Sequence, residues 1–222
     1  MIRGLMHHLI GTISVIFYFL NTVLWATPII ILSFFKLIPL APWRRFISYI
    51  LDACATAWIT INNLNQRVSS RTKWDVTGLD QLTRNDWYLV IANHQSWVDI
   101  LVLQRVFNRK IPFLKFFLKK ELIYVPILGL AWWALDFPFM RRYSKSFLAK
   151  NPHLKGKDME TTRKACEKFQ YTPTAVFNFM EGTRFTEQKY QLKQSQFQHL
   201  LPPKAGGTGF VLGAMGNTLD TL

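Results

Sequence analysis

The sequence predicts an α/β fold in which helices flank a mixed central sheet, with a helical membrane anchor at the N-terminus. Two patterns predict it: short apolar segments that alternate with helical ones, and a long uncharged stretch that opens the chain. A chain of 222 residues can hold one folded domain and a short anchor. We place the anchor, as a transmembrane or hairpin element, in residues 1–43 and the folded domain in residues 44–222.

The anchor is the first element. From Gly4 to Phe35 the chain carries no Lys, Arg, Asp or Glu, and about 20 apolar residues suffice to cross a bilayer. The run is too long for a secretory signal peptide, and no small-residue cleavage site follows it. A buried helix pair of a soluble domain would have a polar face, which this run lacks.

Basic residues and a proline bear on the geometry of the anchor. Lys36, Arg44 and Arg45 follow the apolar run, against Arg3 at its start, and this excess favours a cytoplasmic body. Pro28 interrupts the run, and proline removes a backbone donor and tends to break a helix. A single tilted span and a hairpin that enters and leaves one leaflet are therefore both open.

The folded domain is predicted to alternate strands and helices. Trp87–Ala92 is apolar throughout, as a buried central strand should be. Leu122–Leu135 is uncharged but shorter than a usual span and contains Pro126 and Gly129, which favours a core or membrane-facing helix. The other predicted elements are a helix over 44–68, strands over Lys73–Gly78 and Thr174–Phe179, and a helix over Asp99–Phe107.

The charge balance and the cysteines limit the classes of function. The net charge of +14 favours an anionic partner, which is a nucleic acid, an anionic membrane or a phosphorylated substrate. Cys54 and Cys166 have no metal-binding or redox spacing and indicate free thiols in a reducing compartment. The chain contains no GxSxG, HExxH or P-loop motif.

The segment Asn93–Asp99 follows the predicted central strand and leads into a helix. This places His94 at the carboxyl end of a strand, where α/β proteins hold their sites. A turn can fold Asp99 back onto the imidazole, which fixes the tautomer and leaves the other ring nitrogen as a base. The alternative is a loop histidine with a helix-capping aspartate, and on spacing alone that alternative is favoured.

Two further groups follow later in the chain. Glu181-Gly182-Thr183-Arg184 comes just after an apolar strand; glycine allows a tight turn there and an arginine fork suits a phosphate. The alternative is an ordinary strand-ending turn. The other group is basic, with a solvated surface as its alternative, and comprises Lys119-Lys120-Glu121, Pro126, Gly129 and Arg141-Arg142.

In order and spacing, these groups resemble the glycerophospholipid acyltransferase family, which includes the 1-acylglycerol-3-phosphate acyltransferases. Asn93–Asp99 resembles the first block, a histidine and an aspartate with four residues between them. Lys119…Pro126…Gly129…Arg142 resembles the second block, and Phe179–Arg184 the third. Leu201–Gly207 is similar to the segment that follows in the branch containing a bacterial inner-membrane acyltransferase and the lysocardiolipin acyltransferases.

The resemblance implies an acyltransferase-type fold, with residues 44–222 as the catalytic domain, and a role for each matching residue. His94 is the general base and Asp99 its partner. The residues that hold the glycerol phosphate of the acceptor are Glu181, Gly182, Thr183 and Arg184, assisted by Arg142 and Lys119. No metal and no cofactor is expected, since acyl-CoA or acyl carrier protein serves as co-substrate.

The implied reaction gives the hydroxyl of a lysophospholipid an acyl group. The first expected acceptor is 1-acyl-sn-glycerol 3-phosphate, giving phosphatidic acid; glycerol 3-phosphate, lysocardiolipin or another lysolipid is the alternative. The expected partners are the lysophospholipid, the acyl donor and an anionic membrane, without nucleic acid. The expected location is a bacterial inner membrane with the catalytic domain facing the cytoplasm. A basic lipid-binding protein without catalysis is the alternative from another class.

The chain departs from the family pattern at two places. Met180 stands where the family usually has proline, so that turn is expected to be less rigid. The family's fourth block, an apolar strand with proline, is absent before Leu222, so we expect a C-terminally truncated chain with lower stability and weak activity. The apolar and small residues over 210–216 predict a helix that packs closely on a neighbour. We assign no dinucleotide site to Gly207-Thr208-Gly209, which follows prolines and not a strand.

Overall fold

The computed structural model describes residues 2–140, 145–152, 160, 163–164, 166–167, 169, 172–215 and 219. The helices with described bounds are α1 (Ile2–Ser33), α2 (Ala41–Ser69), α3 (Val98–Phe107), α4 (Leu128–Ala134), α5 (Lys145–Lys150), α6 (Glu187–Lys193) and α7 (Ala205–Met215), with 3₁₀ helices at Phe34–Leu37 and Lys120–Tyr124. The strands are β1 (Tyr88–Ala92), β2 (Leu114–Phe116), β3 (Leu118–Lys119), β4 (Phe139–Met140) and β5 (Ala175–Phe179).

The chain divides into two compact units, Met1–Gln81 with Val125–Leu135, and Leu82–Tyr124 with Asp136–Leu222. In the first unit, Asn21 Nδ2 donates to Asn62 Oδ1 at 2.8 Å and Asn65 Nδ2 donates to Ser14 Oγ at 2.8 Å. Asn65 follows Asn62 in α2, yet it bonds to Ser14, which precedes Asn21 in α1. The two helices are therefore antiparallel. The apolar side chains buried in this unit include Ala26 and Ile29 of α1 and Ile47, Leu51, Ala55 and Ile59 of α2.

The helix α1 passes through Pro28 without a turn. Thr27 donates its hydroxyl to the carbonyl of Val23 at 2.8 Å, and the chain reverses only after Ser33, so a hairpin at Pro28 does not form. By length and composition, Leu5–Leu37 is long and apolar enough to cross a membrane. An 18-residue window within it has a mean hydropathy of 2.0, and 17% of that window is buried.

The second unit is built on a three-stranded parallel sheet in the order β1-β5-β2. Tyr88 pairs with Ala175 and Ala92 with Phe179, while Leu114 pairs with Ala175 from the other side. The central strand β5 is buried along most of its length, as expected for a strand with neighbours on both edges. β3 and β4 form a separate parallel pair.

An apolar cluster on one face of this sheet joins it to α7. Its buried members are Leu89, Cys166, Phe169, Val176, Val211 and Met215. The last turns of α7 contain the helix predicted over 210–216 as far as Met215, with Val211 and Met215 buried in this cluster. Residue 216 lies outside the described residues. Cys54 and Cys166 are both free, and burial raises the pKa of the Cys166 thiol to about 12, which makes it an inert core residue.

The α/β class with a long N-terminal apolar helix is confirmed, and four details differ. β1, predicted to be a buried central strand, lies at an edge of the described sheet, and Ile91 keeps 48% of its surface exposed because β5 takes the central place. Every strand pair among the described residues is parallel, where a mixed sheet was expected. Lys73–Gly78 forms no strand, because most of its side chains are exposed and have no apolar surface to cover. Leu122–Leu135 is not one helix, since Pro126 and the left-handed Ile127 (φ 66°) separate the 3₁₀ helix from α4.

The predicted boundary between residues 43 and 44 lies inside the first compact unit. The unit takes in α2 and α4 because α2 packs along α1 and Lys36 Nζ donates to the carbonyl of Ala134 at 3.1 Å. The division into an anchor over 1–43 and a catalytic domain over 44–222 stays a prediction about function.

Candidate active site

Two predicted motifs meet where β1 and β5 end. Ala92 and Phe179 are register partners, so the residues that follow each strand emerge side by side at the carboxyl edge of the sheet. Met180 N–H donates to the carbonyl of Ala92 at 3.1 Å, and Phe185 N–H donates to the carbonyl of His94 at 2.7 Å. The parallel pairing therefore continues into the loops and joins the first motif to the third.

His94 and Asp99 form a hydrogen-bonded pair, with 2.9 Å between His94 Nδ1 and Asp99 Oδ2. The same carboxylate oxygen accepts from Gln95 N–H at 2.7 Å and Ser96 N–H at 2.9 Å. Burial alone would raise the pKa of Asp99, but hydrogen bonds from Ser96, His94 and Gln95 outweigh it and lower that pKa. An ionised carboxylate only accepts, so Nδ1 carries the proton and Nε2 presents its lone pair.

The plane of the imidazole is set by an aromatic ring from the neighbouring strand. The His94 and Phe179 rings stack with centroids 3.8 Å apart and 16° between their planes. Phe177 supports Phe179 edge-on at 4.6 Å. His94 keeps only 12% of its side-chain surface exposed. Asp99 and Phe179 together hold the ring in one orientation, which general-base catalysis requires.

Glu181 is buried, with 2% of its surface exposed. Its Oε1 accepts from His94 N–H at 2.9 Å and its Oε2 accepts from Leu201 N–H at 3.0 Å. Both carboxylate oxygens thus hold backbone donors of other segments. The predicted role as a ligand of the substrate phosphate fits this placement poorly, since the group is buried and has the same charge sign as phosphate.

The rest of the third motif forms a tight turn. Gly182 has a φ of 64°, which glycine adopts without strain. Thr183 Oγ1 and the carbonyl of Arg184 both accept from Lys189 Nζ at 2.9 Å. The guanidinium carbon of Arg184 lies 4.2 Å from the centroid of the Trp97 ring. Trp97 belongs to the first motif, so the two motifs are also joined through their side chains.

Lys204 is a cation of the site that the sequence motifs did not single out. A Cβ built on Gly182 would lie 3.0 Å from Lys204 Cδ and 3.5 Å from its Nζ, so the lysine stem crosses directly over the glycine. Lys204 N–H donates to the carbonyl of Met180 at 2.7 Å. Its position in the Leu201–Gly207 segment was the signal available in the sequence.

The second motif is only partly described. Lys119 is exposed and lies in β3, where it pairs with Met140. Arg142 lies outside the described residues. The predicted assistance of both residues in phosphate binding stays a prediction.

Comparison with known proteins places this arrangement in a family. The acyltransferase family model matches residues 73–214, which is more than half of the chain and includes both predicted loops of the site. The chain belongs to the acyltransferase family.

One curated protein and one solved structure are similar to this chain. The chain is 36% identical over 109 residues to the 1-acyl-sn-glycerol-3-phosphate acyltransferase of Saccharomyces cerevisiae. The matched segment covers 49% of this chain and 31% of the yeast enzyme. The chain thus matches about a third of that relative's length. The crystal structure of the 1-acyl-sn-glycerophosphate acyltransferase PlsC from Thermotoga maritima shares the fold, with a TM-score of 0.54, 19% identity, and coverage of 96% of this chain and 71% of that one.

Proposed function

We propose that this protein transfers an acyl group from a thioester to the free hydroxyl of a lysophospholipid. The preferred acceptor is 1-acyl-sn-glycerol 3-phosphate, and the product is phosphatidic acid. The observation that carries the proposal is the His94–Asp99 pair, with 2.9 Å between Nδ1 and Oδ2, at the edge of the sheet that also bears the Arg184 turn. Family membership and the named substrate of the yeast relative support it.

The chemistry follows from the protonation of the pair. Nε2 of His94 takes the proton of the acceptor hydroxyl as its oxygen attacks the thioester carbonyl, and Asp99 stabilises the resulting imidazolium. The tetrahedral intermediate collapses with cleavage of the carbon–sulfur bond. The departing thiolate receives the proton from His94, which returns the base to its neutral state. General-base assistance of this kind contributes about a hundred- to ten-thousand-fold.

Arg184 of the third motif and Lys204 hold the phosphate of the acceptor in this proposal. Arg184 supplies a fork of donors that matches phosphate oxygens, and Lys204 supplies a second charge across Gly182. Their cationic groups would fix the distance between the phosphate and the reacting hydroxyl. A neutral lysolipid without a phosphate should therefore be a poor acceptor.

The membrane location is part of the proposal. The apolar helix α1 supports insertion into a bilayer, and Lys36, Arg44 and Arg45 support a cytoplasmic domain. We place the protein at a bacterial inner membrane, where the lysophospholipid reaches the site from the leaflet. Acyl-CoA or acyl carrier protein arrives from the cytosol.

The test is an acyl-transfer assay on the full chain in mixed micelles with an anionic phospholipid. The panel pairs acyl-CoA and acyl carrier protein donors with 1-acyl-sn-glycerol 3-phosphate, glycerol 3-phosphate, lysocardiolipin and a lysolipid without phosphate. We expect transfer that depends on a phosphate in the acceptor and is lost in His94→Ala. A wild-type chain that binds anionic lipid but transfers nothing to any acceptor would favour the non-catalytic alternative.

A further inference from the structure

We infer that Glu181 is a positioning residue that sets the catalytic loop through His94, and not a ligand of the substrate. The inference rests on the proposed function for its kinetic consequences and on the geometry alone for its structural ones. Glu181 has 2% of its surface exposed, so its carboxylate is separated from solvent. A buried carboxylate is retained only where donors satisfy it.

The donors of Glu181 come from two loops that are far apart in sequence. One is His94 N–H at 2.9 Å, in the loop after β1, and the other is Leu201 N–H at 3.0 Å, ahead of α7. Each oxygen of the Glu181 side chain thus accepts from one of the two loops. Glu181 therefore holds both loops against the turn after β5.

The two loops carry the groups that must be held at a fixed separation. His94 supplies the base, and Leu201 is followed by Lys204, which crosses Gly182. Gln95 Nε2 donates to the carbonyl of His199 at 3.2 Å, which is a second link between the same loops. Loss of the carboxylate leaves these two backbone N–H groups without their acceptor and frees the base to move relative to the cationic turn.

Glu181→Gln and Glu181→Ala separate positioning from binding. The glutamine amide keeps one acceptor oxygen, but its NH₂ group faces a backbone N–H, so one of the two bonds is lost. We expect kcat to fall by up to about a hundred-fold in Glu181→Ala, with Glu181→Gln between that variant and the wild type. In both variants, the dissociation constant of the acceptor, measured at equilibrium, should stay within about two-fold of the wild-type value. The reason is that the proposed phosphate site consists of Arg184 and Lys204 and does not include Glu181.

Glu187→Gln is the matched control. Glu187 is an exposed carboxylate of α6 that accepts from Gln191 Nε2 at 2.7 Å, so the same chemical change there should leave kcat unchanged. All rates are expressed per folded molecule from the melting curve of each variant. A lower melting temperature with normal kcat per folded molecule would mean that Glu181 only stabilises the fold. A raised dissociation constant of the acceptor with normal kcat would mean that Glu181 is a ligand. Either result overturns the inference.

Amide hydrogen exchange tests the geometry without any activity. In the wild type, peptides that cover residues 93–97 and 199–204 should be protected, and exchange in both should rise in Glu181→Gln and not in Glu187→Gln. Unchanged exchange in the two peptides overturns the inference. A wild-type chain without transferase activity would overturn the proposed function, while increased exchange in these peptides would still support the link between the loops.

Discussion

At the scale of single residues, Asp99 performs two tasks with one carboxylate. It accepts from the imidazole of His94 and from two backbone N–H groups of the loop that carries the imidazole. The aspartate therefore orients both the ring and the backbone beneath it. This dual role explains why the site needs a carboxylate in the first turn of α3, where a negative charge is also favoured by the helix dipole.

Asp99→Asn tests this role in catalysis. The amide has one acceptor oxygen in place of two, and its NH₂ group cannot accept from Nδ1–H, so the imidazole loses its fixed tautomer. We expect kcat to fall by about a hundred- to ten-thousand-fold in the transfer assay. Turnover near that of the wild type would show that Asp99 caps the helix and does not assist the base.

The same variant tests the lowered pKa of Asp99. A carboxyl whose pKa is lower in the folded state stabilises the fold above its unfolded pKa, and this stabilisation disappears as the pH falls through the folded pKa. The difference in melting temperature between wild type and Asp99→Asn should therefore be constant from about pH 6 to pH 8 and shrink below about pH 4. A difference that grows on acidification would contradict the hydrogen-bonded, ionised carboxylate.

Substitutions of Trp97 test whether its ring holds Arg184 of the third motif in place. Its ring is 69% exposed and lies 4.2 Å from the guanidinium carbon of Arg184. A cation–π contact at an exposed position contributes about 0.5–1 kcal/mol, so Trp97→Leu should raise the acceptor KM by about two- to five-fold. Trp97→Phe keeps an aromatic face and should lie closer to the wild type. Equal KM values in the two variants would exclude the stacking.

At the scale of elements, α7 approaches the central strand because of one glycine. A Cβ on Gly207 would lie 3.1 Å from Asn178 Nδ2 and 3.2 Å from its Oδ1. Asn178 cannot move aside freely, since its Nδ2 donates to Thr208 Oγ1 at 2.9 Å. The close contact brings the start of α7, and Lys204 just before it, to the edge of the sheet where the site lies.

Gly207→Ala should therefore destabilise the protein. Inserting a methyl group into a tight contact costs about 1–3 kcal/mol, which exceeds the small helix-propensity gain in the first turn of α7. Gly209→Ala is the control, because a Cβ there meets nothing within 4 Å and a glycine-to-alanine change within a helix stabilises by about 0.5–1 kcal/mol. Melting curves should shift in opposite directions, and equal shifts would contradict the close approach.

At the scale of the whole molecule, the surface of the first unit supports the proposed membrane location. Most of the exposed residues of α1 are apolar, with Leu20 59% and Leu24 64% exposed, and two of its polar residues, Asn21 and Ser14, hydrogen-bond to α2. A helix pair with polar contacts inside and apolar side chains outside suits a lipid environment. At the proposed anionic membrane, the net charge of +14 would add electrostatic attraction.

Membrane extraction tests the role of α1. We expect the full chain to remain with membranes after washes with high salt and carbonate, because salt screens only the electrostatic part. Leu20→Lys with Leu24→Lys should lower the membrane-bound fraction, since each lysine at the bilayer centre costs about 3 kcal/mol. Leu192→Lys, at an exposed position of α6, is the control and should leave it unchanged. Complete release of the wild type by salt would rule out insertion.

Local patterns of apolar residues in the sequence were sufficient to predict several helices and strands of this protein. The apolar run of Trp87–Ala92 predicted β1, and the uncharged N-terminal run predicted the length of α1. The prediction failed at Lys73–Gly78, where a pattern of short apolar and polar residues found no partner strand. Hydrophobic periodicity describes what a segment can bury, and only the neighbouring chain decides whether there is something to bury it against.

The sequence by itself determined which residues are chemically able to form the site and that two strand ends carry them. The direction of Glu181 and the place of Lys204 over Gly182 were decided by tertiary structure. The physical reason is separation along the chain: the N–H of His94 lies 87 residues from the carboxylate that it binds, and the N–H of Leu201 lies 20 residues away. A motif records side-chain chemistry, whereas backbone donors are identical in every sequence, so only the packed fold shows which of them meet a buried acceptor.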